Sequence, residues 1–340
     1  MRTTRRQLTQ LLAAGAVGAA VMRVPSAAAQ DRKTIATGGT GGVYYPYGGS
    51  LASVLSNEVP DTEWTAEETS ASVDNMYLIE SGDADLAFVL SDTAYDAGQG
   101  NAPFEAPIEA FSLLTLYNNY THIVVNADAG IATVEDLAGK KVSVGSPGSG
   151  TEVIALRILE AAGVGEDDLS REQLGAGESA GAMKDGLIDA FFWSGGLPTA
   201  AVVDLTATPN LNVAFLASDQ YLDQLKEAHG EFYQVANIPA GTYGDGQAED
   251  IPVVVVPNVL VASGEMDEQM AYDITKAIFE NQDTLIAAAP SAAELTLGSA
   301  QCSQALPYHP GALKYLEEQG IAEGTCEVGG GATPEATPAG

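Results

Sequence analysis

Two glycine-rich turns, each predicted to join a short strand to a helix, contain the residues best suited to bind an anion. The first turn, residues 38–42, leads into Val43, Tyr44 and Tyr45, and the second comprises residues 145–151. A helix N-terminus presents unpaired backbone N–H groups and a partial positive charge, so it can hold an anion without a basic side chain. The pair of turns therefore predicts two lobes that close on one acidic or polar small molecule.

Neither turn carries the complete motif of an enzyme site. The second has the glycine spacing of a phosphate-binding loop, but Thr151 and Glu152 stand where that loop needs Lys and Ser or Thr. Val144 stands where a nucleophile elbow around Ser146 would need its first glycine. The three histidines lie in unrelated contexts, and no CxxC pair or Cys/His cluster occurs. The sequence predicts no catalytic residue, no metal site, no cofactor and no enzyme activity.

Strands and helices alternate along the chain, which predicts α/β lobes with largely parallel sheets. A second repeat supports two equivalent lobes: Gly82 and Asp85 precede one apolar strand, and Gly186 and Asp189 precede another. Ligands of such sheets bind outside the carboxyl ends of the strands. The residues predicted to converge there and bind the ligand are Thr40, Gly41, Gly42, Val43, Tyr44, Tyr45, Ser91, Asp92, Ser146, Ser149, Gly150, Thr151, Trp193, Ser194 and Gly195.

The predicted lobe boundaries follow from where the chain has to cross between lobes. Strands are predicted at residues 111–116 and 122–126, with a first crossing near 117–122 between them, and a second crossing near 213–218. Lobe 1 would comprise residues 31–120 and 213–326, and lobe 2 residues 121–212. Two crossings favour a hinge between the lobes. The end of the chain, 327–340, is rich in Gly, Thr and Pro and is predicted to be disordered.

The first thirty residues have the composition of an export signal. Arg2, Arg5 and Arg6 precede an apolar stretch over residues 11–22, and residues 27–29 form a small-residue cleavage site. The paired arginines favour a twin-arginine signal, with an ordinary Sec signal as the alternative. The mature protein is therefore expected at the periplasmic or extracellular face of the cytoplasmic membrane.

The acidic charge limits the partners of this protein. The chain has 46 acidic and 14 basic residues, and four of the basic residues lie in the predicted signal. Because the acids are scattered and hydrophobic residues make up 46% of the chain, the composition is not that of a disordered protein. Salt screens such self-repulsion, so we interpret the chain as an exported, monomeric protein of a salt-loving organism. Nucleic-acid binding is excluded because the basic surface that it needs is missing.

Two further features concern cysteine and arginine. Cys302 and Cys326 are the only cysteines, and in an exported chain they form either one disulfide or two free thiols. Only Arg32, Arg157 and Arg171 follow the predicted signal, and none lies in a predicted ligand-binding loop. Backbone N–H groups and Ser and Thr hydroxyls would therefore have to replace an arginine clamp on a carboxylate.

Motifs spread over residues 31–325 resemble the TAXI solute receptors of tripartite ATP-independent periplasmic (TRAP) transporters. They comprise the segments 38–46, 82–92, 136–151, 190–195, 238–243 and 309–312. The resemblance implies a two-lobed periplasmic-binding-protein fold of the second type, a Venus-flytrap with a mixed sheet flanked by helices in each lobe. It also implies capture of a small carboxylate, such as glutamate or 2-oxoglutarate, for the permease subunits of an ion-gradient-driven transporter. An exported enzyme on the same fold and a ligand-binding sensor subunit are the alternatives.

Overall fold

The computed structural model describes residues 30–327. The predicted export signal and the predicted disordered tail lie outside these residues, except for Gln30 and Glu327. The strands are β1 Asp31–Ala36, β2 Thr62–Glu67, β3 Leu86–Leu90, β4 Ala110–Asn126, β5 Lys141–Ser143, β6 Ser170–Glu172, β7 Ala190–Gly195, β8 Val213–Leu216, β9 Gln234–Ile238 and β10 Ile251–Ser263. The α-helices are α1 Tyr44–Glu58, α2 Ser72–Ser81, α3 Ser91–Gln99, α4 Gly150–Ala161, α5 Ala176–Lys184, α6 Ala200–Thr206, α7 Leu222–His229, α8 Glu268–Glu280, α9 Gln282–Ala288 and α10 Pro310–Glu318.

The strands form two equivalent halves of a mixed sheet. One half has the order β2-β1-β3-β10 and the other β6-β5-β7-β4, with β10 and β4 adjacent and antiparallel at the centre. The first three strands of each half are parallel, and the fourth runs against them. Each half is built in the order strand, helix, strand, helix, strand. The predicted pair of α/β lobes, each a mixed sheet flanked by helices, is therefore confirmed.

The repeated Gly-x-x-Asp segments perform the same structural task in both lobes. Gly82 follows α2 with a φ of 77°, and Gly186 ends the turn after α5 with a φ of 68°. Glycine adopts this left-handed conformation without strain. The Asp85 carboxylate then accepts the backbone N–H of Thr34 in β1, and the Asp189 carboxylate accepts that of Lys141 in β5, both at 2.9 Å. The repeat therefore joins the start of β3 to β1 and the start of β7 to β5.

The largest buried apolar core of each lobe includes residues of both long strands, β4 and β10. In the first core, Leu114 and Leu260 pack with α1, α8 and α10. In the second core, Ile123 and Val254 pack with α4 and α7. The chain therefore crosses between lobes in the middle of β4 and in the middle of β10.

Three expectations about this organisation are corrected. Residues 117–120 continue β4 and do not form a loop, because they pair with β10 through Tyr120 and Val255. The second crossing lies in β10 and not near 213–218, because β8 pairs with β4 and β9 pairs with β10 on the second-lobe side. Ser91 and Asp92, predicted to bind the ligand beyond the end of a strand, lie in the first turn of α3, which begins directly after β3.

Cys302 and Cys326 are joined in a disulfide, which encloses α10 in a covalent loop. Between the two cysteines, the His309 side chain caps α10 by accepting the Gly311 backbone N–H. In residues 30–327, no helix is both long enough and apolar enough to cross a membrane. The same residues contain no cluster of His, Cys, Asp or Glu suited to hold a metal ion.

Candidate functional site

A cavity of about 280 Å³ lies between the two lobes, where the glycine-rich turns meet. Four helices, α1, α2, α4 and α5, begin at its wall, two from each lobe. The lining includes twelve of the predicted ligand-binding residues: Thr40, Gly41, Gly42, Val43, Tyr44, Ser146, Ser149, Gly150, Thr151, Trp193, Ser194 and Gly195. The structure therefore brings both glycine-rich turns and the end of β7 to one enclosed site.

The N-terminus of α4 presents hydrogen-bond donors from the second lobe. The Ser149 hydroxyl oxygen caps the helix by accepting the backbone N–H of Glu152 at 3.0 Å. The Thr151 hydroxyl oxygen accepts the backbone N–H of Ser194 at 3.2 Å. Because each oxygen already accepts a bond, both hydroxyl protons remain free to be donated. The first N–H groups of the helix, at Gly150 and Thr151, have no partner within the helix itself.

The first lobe also presents hydroxyl groups whose oxygens already accept a hydrogen bond. The Tyr44 hydroxyl accepts from Asn258 Nδ2 at 2.5 Å, and the Ser72 hydroxyl accepts the backbone N–H of Leu90 at 3.1 Å. Burial raises the pKa of Tyr44 above its ordinary value, so the phenol keeps its proton. The cavity is therefore faced by hydroxyl donors from both lobes, a set that matches a ligand group with only acceptor oxygens.

The charged residues of the lining are both acidic and lie at its exposed rim. Glu68 accepts the backbone N–H of Thr40 at 3.2 Å, and Glu178 accepts that of Gly175 at 3.1 Å. The described lining contains no arginine or lysine, so its hydrogen-bond donors are backbone N–H groups and uncharged side chains.

Arg157, whose direction the sequence left open, points away from the cavity into a buried ion-pair network. Its Nη1 lies 3.0 Å from Asp92 Oδ2 and 2.7 Å from the Tyr233 hydroxyl, and its Nη2 pairs with Asp96. The Tyr233 hydroxyl also donates to Asp92 at 2.9 Å. Because Arg157 is on α4 and both aspartates are on α3, the network joins the two lobes beside the cavity.

Three predicted ligand-binding residues lie outside the cavity lining. Tyr45 is 37% exposed at the start of α1. The Ser91 hydroxyl donates to the backbone carbonyl of Pro257 and accepts from the Ser303 hydroxyl, while Asp92 pairs with Arg157. Ser91 and Asp92 belong to the first turn of α3, which follows β3 without a loop. Both side chains are buried in the protein interior.

The lobes contact each other around the cavity, as expected for a closed state. The carbonyl of Gly148 in lobe 2 accepts the backbone N–H groups of Val73 and Asp74 in lobe 1, both at 3.1 Å. The Trp193 ring reaches across from lobe 2, and a Cβ atom built on Gly42 would lie only 2.7 Å from its Cη2 atom. Only glycine at position 42 therefore leaves room for this approach.

A buried hydrogen-bond chain holds Trp193 in place. Trp193 Nε1 donates to the Thr199 hydroxyl at 2.8 Å, and the Thr199 backbone N–H donates to the Tyr243 hydroxyl at 3.2 Å. The Tyr243 hydroxyl lies 2.6 Å from Nε2 of His122, whose Nδ1 lies 2.8 Å from the carbonyl oxygen of Tyr120. Since a carbonyl only accepts, Nδ1 carries the proton and Nε2 accepts from Tyr243.

His122 gives this chain a pH dependence. Burial lowers its pKa from 6.5 to about 4, so the folded protein keeps the ring neutral while the unfolded chain binds a proton below about pH 6.5. The full stability is present above that pH and is lost as the pH falls towards 4. We expect His122 to reduce the free energy of unfolding by about 1 kcal/mol between about pH 7.5 and about pH 5.5. Urea unfolding of the wild type and of His122→Gln at both pH values measures this change. If the free energy of unfolding changed with pH equally in the two proteins, the prediction would be contradicted.

Gly38, Gly39 and Gly145 of the lining belong to the two predicted glycine-rich turns, but other lining residues were not predicted. These are Glu68, Thr69, Ser70, Ala71, Ser72, Leu90, Asn119, Gly175, Ala176, Gly177 and Glu178. A signal was present for residues 175–178, where Gly175 and Gly177 flank the first residue of α5 and resemble the glycines of the other two turns. Asn119 carried no such signal, because it stands inside a long strand whose partners are distant in sequence.

One protein family and several solved structures match this chain. Residues 35–320 match the NMT1-like family. The fold is similar to that of the periplasmic aliphatic sulphonate binding protein SsuA from Escherichia coli, at 16% identity and a TM-score of 0.45 over 84% of this chain and 83% of that one. A putative L-cystine ABC transporter protein from Listeria monocytogenes matches at 13% identity and a TM-score of 0.47, over 76% of this chain and 94% of that one. PhnD1 from Prochlorococcus marinus in complex with methylphosphonate matches at 13% identity and a TM-score of 0.46, over 74% of this chain and 83% of that one.

Proposed function

Because this chain belongs to the NMT1-like family, we propose that it is an exported solute-binding receptor for a small carboxylate. Glutamate, 2-oxoglutarate and related compounds are the candidate ligands. The receptor acts as a monomer at the periplasmic or extracellular face of the membrane. It delivers its ligand to the permease subunits of a TRAP-type transporter, as its resemblance to the TAXI receptors implies. The observation that carries the proposal is the enclosed cavity between the lobes, faced by hydroxyl donors and helix N-termini.

A carboxylate fits this donor set better than a cation or a neutral apolar group. The hydroxyls of Tyr44, Ser149 and Thr151 each already accept one hydrogen bond, and each has its proton left to donate. Hydrogen bonds to a charged acceptor are stronger than those between neutral groups. The helix N-termini add a favourable potential for negative charge. A cavity of this size, about 280 Å³, suits a small molecule.

Ligand binding and lobe closure are coupled in this proposal. The donors come from both lobes, so one lobe alone offers only part of the set. A ligand can favour closure only by binding the closed state more tightly than the open one. The bonds from α4 are therefore completed as the lobes meet, and the permease recognises the closed receptor.

Adjacent tyrosines provide the test. Tyr44→Phe removes one donor from the cavity, whereas Tyr45→Phe removes an exposed hydroxyl outside it. We expect Tyr44→Phe to weaken the binding of the best carboxylate about tenfold or more, since a hydrogen bond to a charged group contributes about 1.5–3 kcal/mol. Tyr45→Phe should bind as the wild type does. Isothermal titration calorimetry in roughly molar salt, which screens the acidic surface, measures both.

Two results would contradict the proposal. Equal affinities of the two variants would remove Tyr44 from the binding site. Conversion of the ligand into a product during incubation with the protein would favour the enzyme alternative over a receptor.

A further inference from the structure

Asn119 is a fully buried residue of the cavity lining whose amide has no hydrogen-bond partner in the part of the chain that the structure describes. It lies in β4 at the crossing between the lobes, it is 0% exposed, and it lines the cavity. Neither its Oδ1 nor its Nδ2 has a partner within the described residues. A buried amide without partners costs stability, and most such groups in proteins are satisfied. The position therefore points to a group on the ligand that would complete its bonds.

The Tyr44 hydroxyl lies close to Asn119, but no hydrogen bond of normal geometry joins the two side chains. Asn258 Nδ2 is already engaged with the Tyr44 hydroxyl, and the Ser194 hydroxyl, which also lines the cavity, has no partner of its own. Asn119 and Ser194 thus form a second polar patch. It differs from the helix N-termini because it contains an amide acceptor as well as donors.

The two atoms of the amide define what can bind there. Oδ1 needs a donor and Nδ2 needs an acceptor. A hydroxyl or a primary amide offers both. A second carboxylate would place its lone pairs against Oδ1, and an ammonium group would leave Nδ2 without an acceptor.

We propose that Asn119 determines specificity by reading a hydroxyl or primary amide on the ligand, at a separate point from the carboxylate that the helix N-termini hold. This rests on the proposed function and narrows it: among small carboxylates, a compound with a hydroxyl or a primary amide is favoured over the dicarboxylates glutamate and 2-oxoglutarate. Among isosteric pairs, the protein therefore binds the amide in preference to the acid, and the hydroxyl compound in preference to its deoxy analogue.

Matched probe pairs test the inference. The pairs are glutamine and glutamate, succinamate and succinate, and 4-hydroxybutanoate and butanoate, titrated by calorimetry into the wild type, Asn119→Leu and Asn119→Ser. In the pair that binds best, we expect the wild type to favour the amide or hydroxyl compound about 10- to 100-fold. The preference should fall towards unity in Asn119→Leu, and Asn119→Ser provides the measurement should the leucine variant not fold.

Thr121→Val is the matched control. Thr121 lies two residues further along the same strand, and its hydroxyl is also buried without a partner, but it does not line the cavity. This variant should keep the wild-type preference. If the wild type binds both members of a pair equally, or if both Asn119 variants keep the wild-type preference, this inference is overturned while the proposed function stands. If none of the six compounds or other small carboxylates binds, the proposed function fails and the inference fails with it.

Discussion

Replacing Arg157 by Met is expected to lower the free energy of unfolding by about 3–5 kcal/mol, the cost of leaving a buried charge without its partner. The Arg157 side chain is 12% exposed, Asp92 is 0% exposed, and Asp96 is nearly as buried. Removing the guanidinium leaves both carboxylates and the Tyr233 hydroxyl in the interior without a cation. Because the network joins α3 to α4, the loss also weakens the contact between the two lobes. Urea unfolding followed by circular dichroism measures the change.

Arg171 provides the control, because its pair with Glu166 lies at the surface. Arg171→Met should change the free energy of unfolding by less than about 1 kcal/mol. Combining Arg157→Met with Asp92→Asn should recover part of the loss, since it removes one uncompensated charge. A change below about 1 kcal/mol for Arg157→Met would show that the network does not contribute to the folded state.

Enlarging Gly42 is expected to prevent lobe closure. A Cβ atom at this position would lie 2.7 Å from Trp193 Cη2 and 3.1 Å from Cζ2, atoms of the opposite lobe. Overpacking of this kind costs about 1–3 kcal/mol, and here the cost falls on the closed state only. Gly42→Ala should weaken ligand binding by up to about 100-fold, and the bulkier Gly42→Leu should abolish it, because apparent affinity falls with the population of the closed state.

Gly49, exposed in α1 and outside the cavity lining, serves as the control, since a Cβ atom there would meet no other atom within 4 Å. Gly49→Ala should therefore bind with nearly wild-type affinity. Titration calorimetry gives the affinities, and melting temperatures without ligand show whether the variants fold. Wild-type affinity in Gly42→Leu would mean that the ligand does not require the closed arrangement described here.

Sequence patterns predicted the features that depend on neighbouring residues. The glycine-rich turns, the helices that follow them and the repeated Gly-x-x-Asp segments are local in sequence. Residue types alone, such as glycine at a left-handed position, indicate them. Twelve lining residues of the cavity follow from these turns and from the end of β7.

The features that the sequence did not predict depend on contacts between distant residues. Arg157 finds Asp92 across the lobe boundary, and nothing in either local sequence indicates that pairing. The β8 strand is apolar enough to pack in either lobe, and only its pairing with β4 decides between them. Asn119 enters the cavity because β4 crosses there, so its role depends on the register of the whole sheet.

The central claim, that this chain is a receptor for a small carboxylate, is tested most directly by thermal melting with a ligand panel. The protein is melted in roughly molar salt with amino acids, dicarboxylates, 2-oxoacids, hydroxyacids and carboxylic acid amides. A ligand that binds only the folded state raises the melting temperature. We predict a selective rise with one class of carboxylate and no product after incubation. No rise with any carboxylate would contradict the account.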